Sequence, residues 1–349
     1  MKAIIKAERG PGFTMVDKPV PDTLGRSEVM VKILATSICG TDVHIYKWDK
    51  WSAGRIKPPL TVGHEFSGEV VKIGEDVKSV KVGDIVSAET HIVCGVCEFC
   101  REGNSHICKD TKIIGVDTDG CFAEYARMPA QNLIKDTTGL DPKYLSVQEP
   151  LGNAVHTMLH FDITAKTVAV VGCGPIGLMG VNIAKAVGAT KIIAIEINDY
   201  RIGLAKELGA SVVINPLKED VVARVLEETG GVGVDVVTEF SGNKSAIEAA
   251  FKYIKAGGKM SMLGIVPESI EIDLSNDVIF KGVTIYGVIG RKMFTTWNQV
   301  QGLLESGKLD IEKIVTHAFA LEDFEAAMAV MRSGNSGKVV MIPNKNKEV

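Results

Sequence analysis

The chain carries no excess of charge of either sign. Its 39 Lys and Arg residues against 43 Asp and Glu leave a formal net charge of −4, which gives no reason to expect a nucleic acid or an anionic membrane as partner. Internal repeats and low-complexity segments are absent. No secretory leader is expected, because Lys6, Glu8 and Arg9 interrupt the start before any long apolar stretch. One run without charge approaches the length of a membrane span, the 18 residues from Thr167 to Ala184. It contains Gly172, Gly174, Pro175, Gly177 and Gly180 and reads better as strand, tight turn and helix, so no membrane partner is expected. Cysteine is scarce outside one cluster: of the seven, Cys39, Cys121 and Cys173 stand apart. Scattered thiols without secretory features fit a reducing compartment, and the cytoplasm is the expected location.

The other four cysteines stand together. Cys94, Cys97, Cys100 and Cys108 follow the spacing C-x2-C-x2-C-x7-C within 15 residues. Thiolates at this density suit a tetrahedral shell around one Zn²⁺, with metal–sulfur distances of about 2.3 Å. A closed shell keeps no open position, so this zinc would be structural. Disulfides and a redox CxxC pair are the alternatives; the redox pair would sit at a helix start after a strand, which this segment does not resemble. His106, inside the lobe, is expected at the surface, since four sulfurs already suffice.

A length of 349 residues suggests two domains. The first 150 residues read as short β runs broken by glycine, as at 29–34, 68–73 and 84–87. From about residue 153 strands alternate with helices. Strands are expected at 167–171, 191–195, 211–214, 234–239, 259–263 and 284–287, with helices such as 176–187, 199–208 and 244–254 between them. Alternation of this kind implies an α/β fold with a doubly wound parallel sheet. Beyond residue 290 two helical pieces, 295–306 and 321–333, precede a last strand at 338–342. The polar tail 344–349 is expected to fray.

Thr167–Gly177 reads TVAVVGCGPIG, a β-rich run followed by G-x-G-x-x-G at Gly172, Gly174 and Gly177. The glycines allow a tight turn, close approach of backbone to a pyrophosphate and close helix–strand packing. The helix N-terminus that follows offers free N–H groups to phosphates. Pro175 and Ile176 complete this expected cofactor-binding turn. Glu196 stands 19 residues after Gly177, at the end of the next strand. A carboxylate there accepts hydrogen bonds from ribose hydroxyls and repels a 2′-phosphate, so NAD is expected rather than NADP. Arg201, five residues on, would soften that preference; otherwise it is a solvated helix residue.

Three further clusters are Cys39-Gly40-Thr41-Asp42-Val43-His44, Gly63-His64-Glu65 and Glu149-Pro150. Alone, each has a dull explanation: a single cysteine is often a small buried hydrophobe. Together they supply sulfur, imidazole and carboxylate, a set suited to a catalytic Zn²⁺ that keeps one position for substrate.

These motifs, in this order along the whole chain, resemble those of the zinc-dependent medium-chain alcohol dehydrogenases. The resemblance implies a GroES-like β-barrel catalytic domain, residues 1–152 and 290–349, with a zinc lobe at 91–110. It implies an NAD-binding Rossmann domain at 153–289, an active site in the cleft between the two, two zincs per subunit and a homotetramer. It makes Cys39 and His64 zinc ligands, Glu65 a third, and Glu149 a further ligand or one that exchanges with substrate or water. Asp42 would support the shell from outside. Thr41 would hydrogen-bond the substrate oxygen and begin a proton relay that His44 continues to solvent. His91 looks like a residue lining the substrate pocket; a loop histidine is the plainer reading. His156 is expected near the domain junction. Arg291 would contact substrate or cofactor, or form a surface salt bridge.

Within the family, Cys39–Trp51, Glu89–Gly95, Glu149–Thr157, Gly290–Trp297 and Met331–Val340 resemble the branch that oxidises L-threonine at C3 to 2-amino-3-oxobutanoate. Thr295 stands where that branch usually has Glu. The alternatives are a polyol or 2,3-butanediol dehydrogenase and, from another class, a non-enzymatic zinc- or nucleotide-binding protein on the same scaffold. Retention of Cys39, Thr41, His44, His64, Glu65 and Glu149 argues against the last.

Overall fold

The structure is a computed structural model and describes residues 1–343; the tail at 344–349 lies outside the described residues. Its six-stranded parallel sheet runs in the order Val212–Ile214, Lys191–Ile195, Thr167–Val171, Val234–Glu239, Ile254–Met262, Thr284–Gly287. The central strand Thr167–Val171 shows why both faces are covered. Val168 and Val170 pack into one apolar core, Ala169 and Val171 into another. Successive side chains of a strand point to opposite faces, so an uninterrupted apolar run needs a layer on each side. Helices Gln148–Leu159 and Pro175–Ala186 supply one layer. Helices Val221–Glu228 and Lys244–Tyr253 supply the other. Asn198, Asp220 and Asn243 cap three of the helix starts by accepting from the backbone N–H groups of Arg201, Ala223 and Ala246.

A second, seven-stranded sheet is built around the long strand Glu28–Ser37. Strands Glu65–Ile73 and Tyr125–Pro129 pair with it antiparallel, and so does the last strand, Lys338–Ile342. Val340 lies opposite Ser37, and Ile38 N–H donates to Val339 O at 2.9 Å. The strand Lys338–Ile342 is thereby laid against the residues just before Cys39.

Most expected elements form within a residue or two of their anticipated limits. Three differences have physical causes. Val315–Ala320 is a strand parallel to Lys338–Ile342; its sequence, VTHAFA, does not alternate cleanly between polar and apolar. The helix Val221–Glu228 is amphipathic but short. The stretch expected as one helix at 321–333 divides into a 3₁₀ turn, Leu321–Asp323, and an α-helix, Phe324–Ser333.

Candidate metal centres and dinucleotide groove

The four cysteines of the lobe converge. Their sulfurs all lie within 4.8 Å of one another, with Cys97–Cys100 at 3.6 Å, Cys94–Cys108 at 3.5 Å and Cys97–Cys108 at 3.9 Å. A disulfide needs about 2.05 Å, whereas the edge of a tetrahedron with 2.3 Å arms is about 3.8 Å. Backbone N–H groups of Cys94, Cys97 and Asp110 point at sulfurs from 3.4 Å, and such donors favour thiolate. Those of Cys100 and Lys109 pull the Cys97 thiol down to about 6. The residues fit a structural Zn²⁺.

His106 is a correction. It is buried, packed edge-to-face on His156 at 5.5 Å between ring centres. His156 in turn touches Tyr286 and holds the Gly290 carbonyl through Nδ1 at 2.9 Å. The lobe therefore docks through His106 onto the helix Gln148–Leu159, a contact invisible in one dimension.

The second cluster joins Cys39, His64 and Glu65, whose ligand atoms also lie within 4.8 Å of one another. Cys39 is the N-cap of helix Gly40–Lys47. His64 precedes, and Glu65 begins, the strand Glu65–Ile73. Gly63 makes this approach possible: at φ +86° it has the left-handed backbone, and a Cβ there would meet the Phe122 ring at 2.0 Å. Asp42 lies behind, accepting from Cys39 N–H at 2.9 Å. Its other oxygen faces His64 Nδ1 across 3.9 Å, too far for a hydrogen bond. His64 Nδ1, Asp42 Oδ1 and Glu65 Oε1 are all buried without a partner. Burial alone would push His64 down, but Cys39 and Asp42 beside it raise it to about 10. Burial raises Asp42 to about 6 against the pull of His64. Sulfur, imidazole and carboxylate with this appetite for positive charge fit a divalent zinc.

Glu149 does not join this group of three. Its Oε1 accepts from Arg291 Nη1 at 2.6 Å and from Thr90 Oγ1 at 2.9 Å. Arg291 is only 1% exposed, which excludes the surface salt bridge. Its Nε and Nη2 grip both oxygens of Glu89 at 2.9 and 2.6 Å, and Trp297 Nε1 donates to the same carboxylate at 2.8 Å. Burial would raise Glu89, yet Arg291 holds it well below the usual carboxylate range. Arg291 Nη2 also lies 3.1 Å from Thr90 Oγ1 and 3.0 Å from His91 Nδ1, and that ring nitrogen is 3.1 Å from Glu89 Oε1. The His91 backbone N–H donates to the same Glu89 oxygen at 3.0 Å. Glu89, Asn153 and Trp297 had no assigned part in the sequence reading. All three lie inside the stretches Glu89–Gly95, Glu149–Thr157 and Gly290–Trp297 that carry the resemblance, and Glu89 also stands as a carboxylate amid small and apolar residues, in IVSAETHIV.

Thr41 Oγ1 lies 3.8 Å from Cys39 Sγ. His44 is well exposed, its Nδ1 2.5 Å from Asp49 Oδ2.

On the parallel sheet, a cavity of about 640 Å³ opens beside Gly172, Gly174, Glu196, Arg201, Ser241 and Asn243. Pro175 and Ile176 open the helix Pro175–Ala186, with Gly174 as N-cap. A Cβ on Gly177 would sit 1.9 Å from Gly172 O, so only glycine fits. Glu196 accepts from three backbone N–H groups, those of Cys173, Ile197 and Asn198, at 2.7, 2.8 and 2.9 Å. Arg201 reaches over to the Ser336 carbonyl at 3.4 Å; it is not a freely solvated helix residue. The groove fits a dinucleotide, with the pyrophosphate against the glycine turn and a ribose near Glu196.

Residues 25–138 match the family described as alcohol dehydrogenase GroES-like domain, and residues 175–306 match zinc-binding dehydrogenase. The chain belongs to the zinc-dependent medium-chain alcohol dehydrogenase family. It is 54% identical to an L-threonine 3-dehydrogenase of Caldanaerobacter subterraneus subsp. tengcongensis, over 98% of this chain and 99% of that one. It is 51% identical to an L-threonine 3-dehydrogenase of Bacillus subtilis, over 98% and 99%. Among solved structures, the 2R,3R-butanediol dehydrogenase of Bacillus subtilis superposes with a TM-score of 0.89 at 30% identity, over 98% of this chain and 99% of that one.

Proposed function

We propose that this chain oxidises L-threonine at C3 to 2-amino-3-oxobutanoate, with NAD⁺ as hydride acceptor and two zincs per subunit. The observation that carries the reading is the Cys39, His64 and Glu65 cluster in a chain more than half identical to an L-threonine 3-dehydrogenase. Zinc held there would supply a Lewis acid to lower the pKa of the substrate hydroxyl, and NAD⁺ bound in the groove would supply the acceptor for the C3 hydride. Cys39, His64 and Glu65 hold the metal, with Asp42 behind the shell. Glu149, held by Arg291 and Thr90, would reach the metal by exchange with substrate or water. Cys94, Cys97, Cys100 and Cys108 hold the structural zinc.

Thr41 receives the hydroxyl proton and His44, exposed and paired with Asp49, passes it to solvent. Glu196 takes the adenosine ribose hydroxyls, releasing backbone donors to do so. Gly172, Gly174, Pro175, Ile176 and Gly177 cradle the phosphates, and Arg201 stands beside Gly174. His91, held by Glu89, lines the substrate pocket. Buried polar groups matched to an amino acid reject substrates that lack its charges.

The division into a catalytic domain, 1–152 and 290–349, and a dinucleotide domain, 153–289, is part of this reading, as are a homotetramer and a cytoplasmic location. The edge strand Thr284–Gly287 supports assembly by sheet extension, with Ile279 and Phe280 exposed nearby. Among the described residues no helix is long and apolar enough to cross a membrane.

The test is NAD⁺ reduction with L-threonine, sorbitol and 2,3-butanediol. L-Threonine is expected to have the highest kcat/KM; a higher value for either alcohol would replace the substrate assignment.

A further inference from the structure

Lys338 has no task in the chemistry above, yet it is one of the largest fully buried side chains. It opens the last strand, and its ammonium donates to Glu65 Oε2 and, at 2.8 Å, to the carbonyl of Ile38, the residue before Cys39. Ser37 Oγ donates to the same Oε2. The other oxygen, Oε1, is buried and has no partner. The carboxylate is thus divided. One oxygen is held by an ammonium and a hydroxyl, and the other is left for the cluster with Cys39 and His64.

The lysine cannot easily withdraw. Gly337 before it has no room for a Cβ, which would lie 2.4 Å from Ile314 O. One residue earlier, Ser336 O accepts from Arg201 at 3.4 Å, and Asn335 Oδ1 accepts from Asn198 at 3.2 Å. The segment is pinned to the rim of the dinucleotide groove while its next side chain reaches the metal shell.

We propose that Lys338 is a positioning residue that sets how firmly Glu65 holds the catalytic metal. An ammonium and a divalent cation compete for one carboxylate. By keeping Oε2, Lys338 restricts Glu65 to one oxygen and a weakened bond, so that Glu65 yields readily when a substrate oxygen arrives. This rests on the zinc assignment proposed above. Partners outside a metal shell usually strengthen it; a competing cation reverses the sign.

The experiment uses the full-length, zinc-loaded protein and follows zinc loss to a chelator. Lys338→Met is expected to release its non-lobe zinc about 10- to 100-fold more slowly than the wild type, the scale of effects from outside a metal shell. Lys338→Arg should restore the wild-type rate. Equal or faster loss from folded Lys338→Met would overturn the proposal, since a merely structural role predicts a looser site. Ser37→Ala removes the second donor without changing charge and should slow loss by a smaller factor. If Lys338→Met does not fold, unchanged or faster loss in Ser37→Ala overturns the proposal instead. Cys39→Ser separates this from the underlying reading. One zinc in the wild type, or two retained in Cys39→Ser, would sink the zinc assignment itself. Two zincs falling to one in Cys39→Ser, with unchanged release in Lys338→Met, would sink only the role of Lys338.

Discussion

Arg291→Met should destabilise the protein severely and in a pH-dependent way. The guanidinium makes two bonds to Glu89 at 2.6 and 2.9 Å, one to Glu149 at 2.6 Å and one to Asn153 at 3.1 Å. Methionine fills much of the same volume and supplies no donor. Two buried carboxylates are then left facing one another's field. Removing one partner of a buried pair costs about 3–5 kcal/mol, and Glu149 adds to this. Trp297 Nε1 and His91 N–H still donate to Glu89, which keeps the loss within that range.

The pH dependence has a definite sign. In the wild type the Glu89 carboxylate is held below its ordinary range, so it contributes stability that is fully present above the unfolded carboxylate pKa. That contribution is lost only as pH falls through the lowered folded value. Without Arg291 the burial that opposes ionisation wins, and the folded pKa rises above the unfolded one. The folded variant then gains a proton before the unfolded chain does. The gap between variant and wild type should be widest at neutral pH and narrow toward pH 5. Equilibrium urea unfolding at pH 7.5 and 5.5, followed by circular dichroism, measures it. A loss under about 1 kcal/mol, the scale of an exposed ion pair, or a gap that widens on acidification, would refute the reasoning.

Cys97→Ser should lower the zinc content by one per chain and lower the melting point before it lowers the activity of the remaining folded protein, because it opens a shell in which Cys97 Sγ lies 3.6 and 3.9 Å from two other sulfurs; metal analysis with calorimetry checks this. Glu196→Gln keeps an acceptor oxygen for the N–H groups of Ile197 and Asn198, turns an amide NH2 toward that of Cys173, and removes the charge that repels a 2′-phosphate. The ratio of kcat/KM for NAD⁺ over NADP⁺ should fall about tenfold, equivalent to about 1.4 kcal/mol, and an unchanged ratio would move the preference to other residues.

The legible parts of this protein share a property: their residues are close in sequence. The glycine turn, Glu196 at the end of the following strand, and the cysteine lobe each lie within one supersecondary unit, so spacing alone constrains their geometry. The parallel strand Thr167–Val171 was readable for the same reason, its composition and neighbours both being local. Glu89, Arg291 and Trp297 were not readable in this way. The pairs are separated by about 200 residues, so no local spacing relates them. His106 failed as a surface residue because its partner, His156, is 50 positions away. By resemblance Glu149 was expected as a further ligand or one that exchanges with substrate or water; its position beside Arg291 depends on where that buried cation sits.

By itself the sequence determined which ligand types are present, where a phosphate-binding turn forms, and the alternation that makes a doubly wound sheet. Those follow from local stereochemistry and side-chain chemistry. Only the tertiary structure decided how the charges divide: Glu65 between Lys338 and the cluster, Glu149 held by Arg291, Glu89 shared by Arg291, Trp297 and His91. A buried charge must find its counterion, and here the counterions, Lys338 and Arg291, lie far along the chain from the carboxylates they serve.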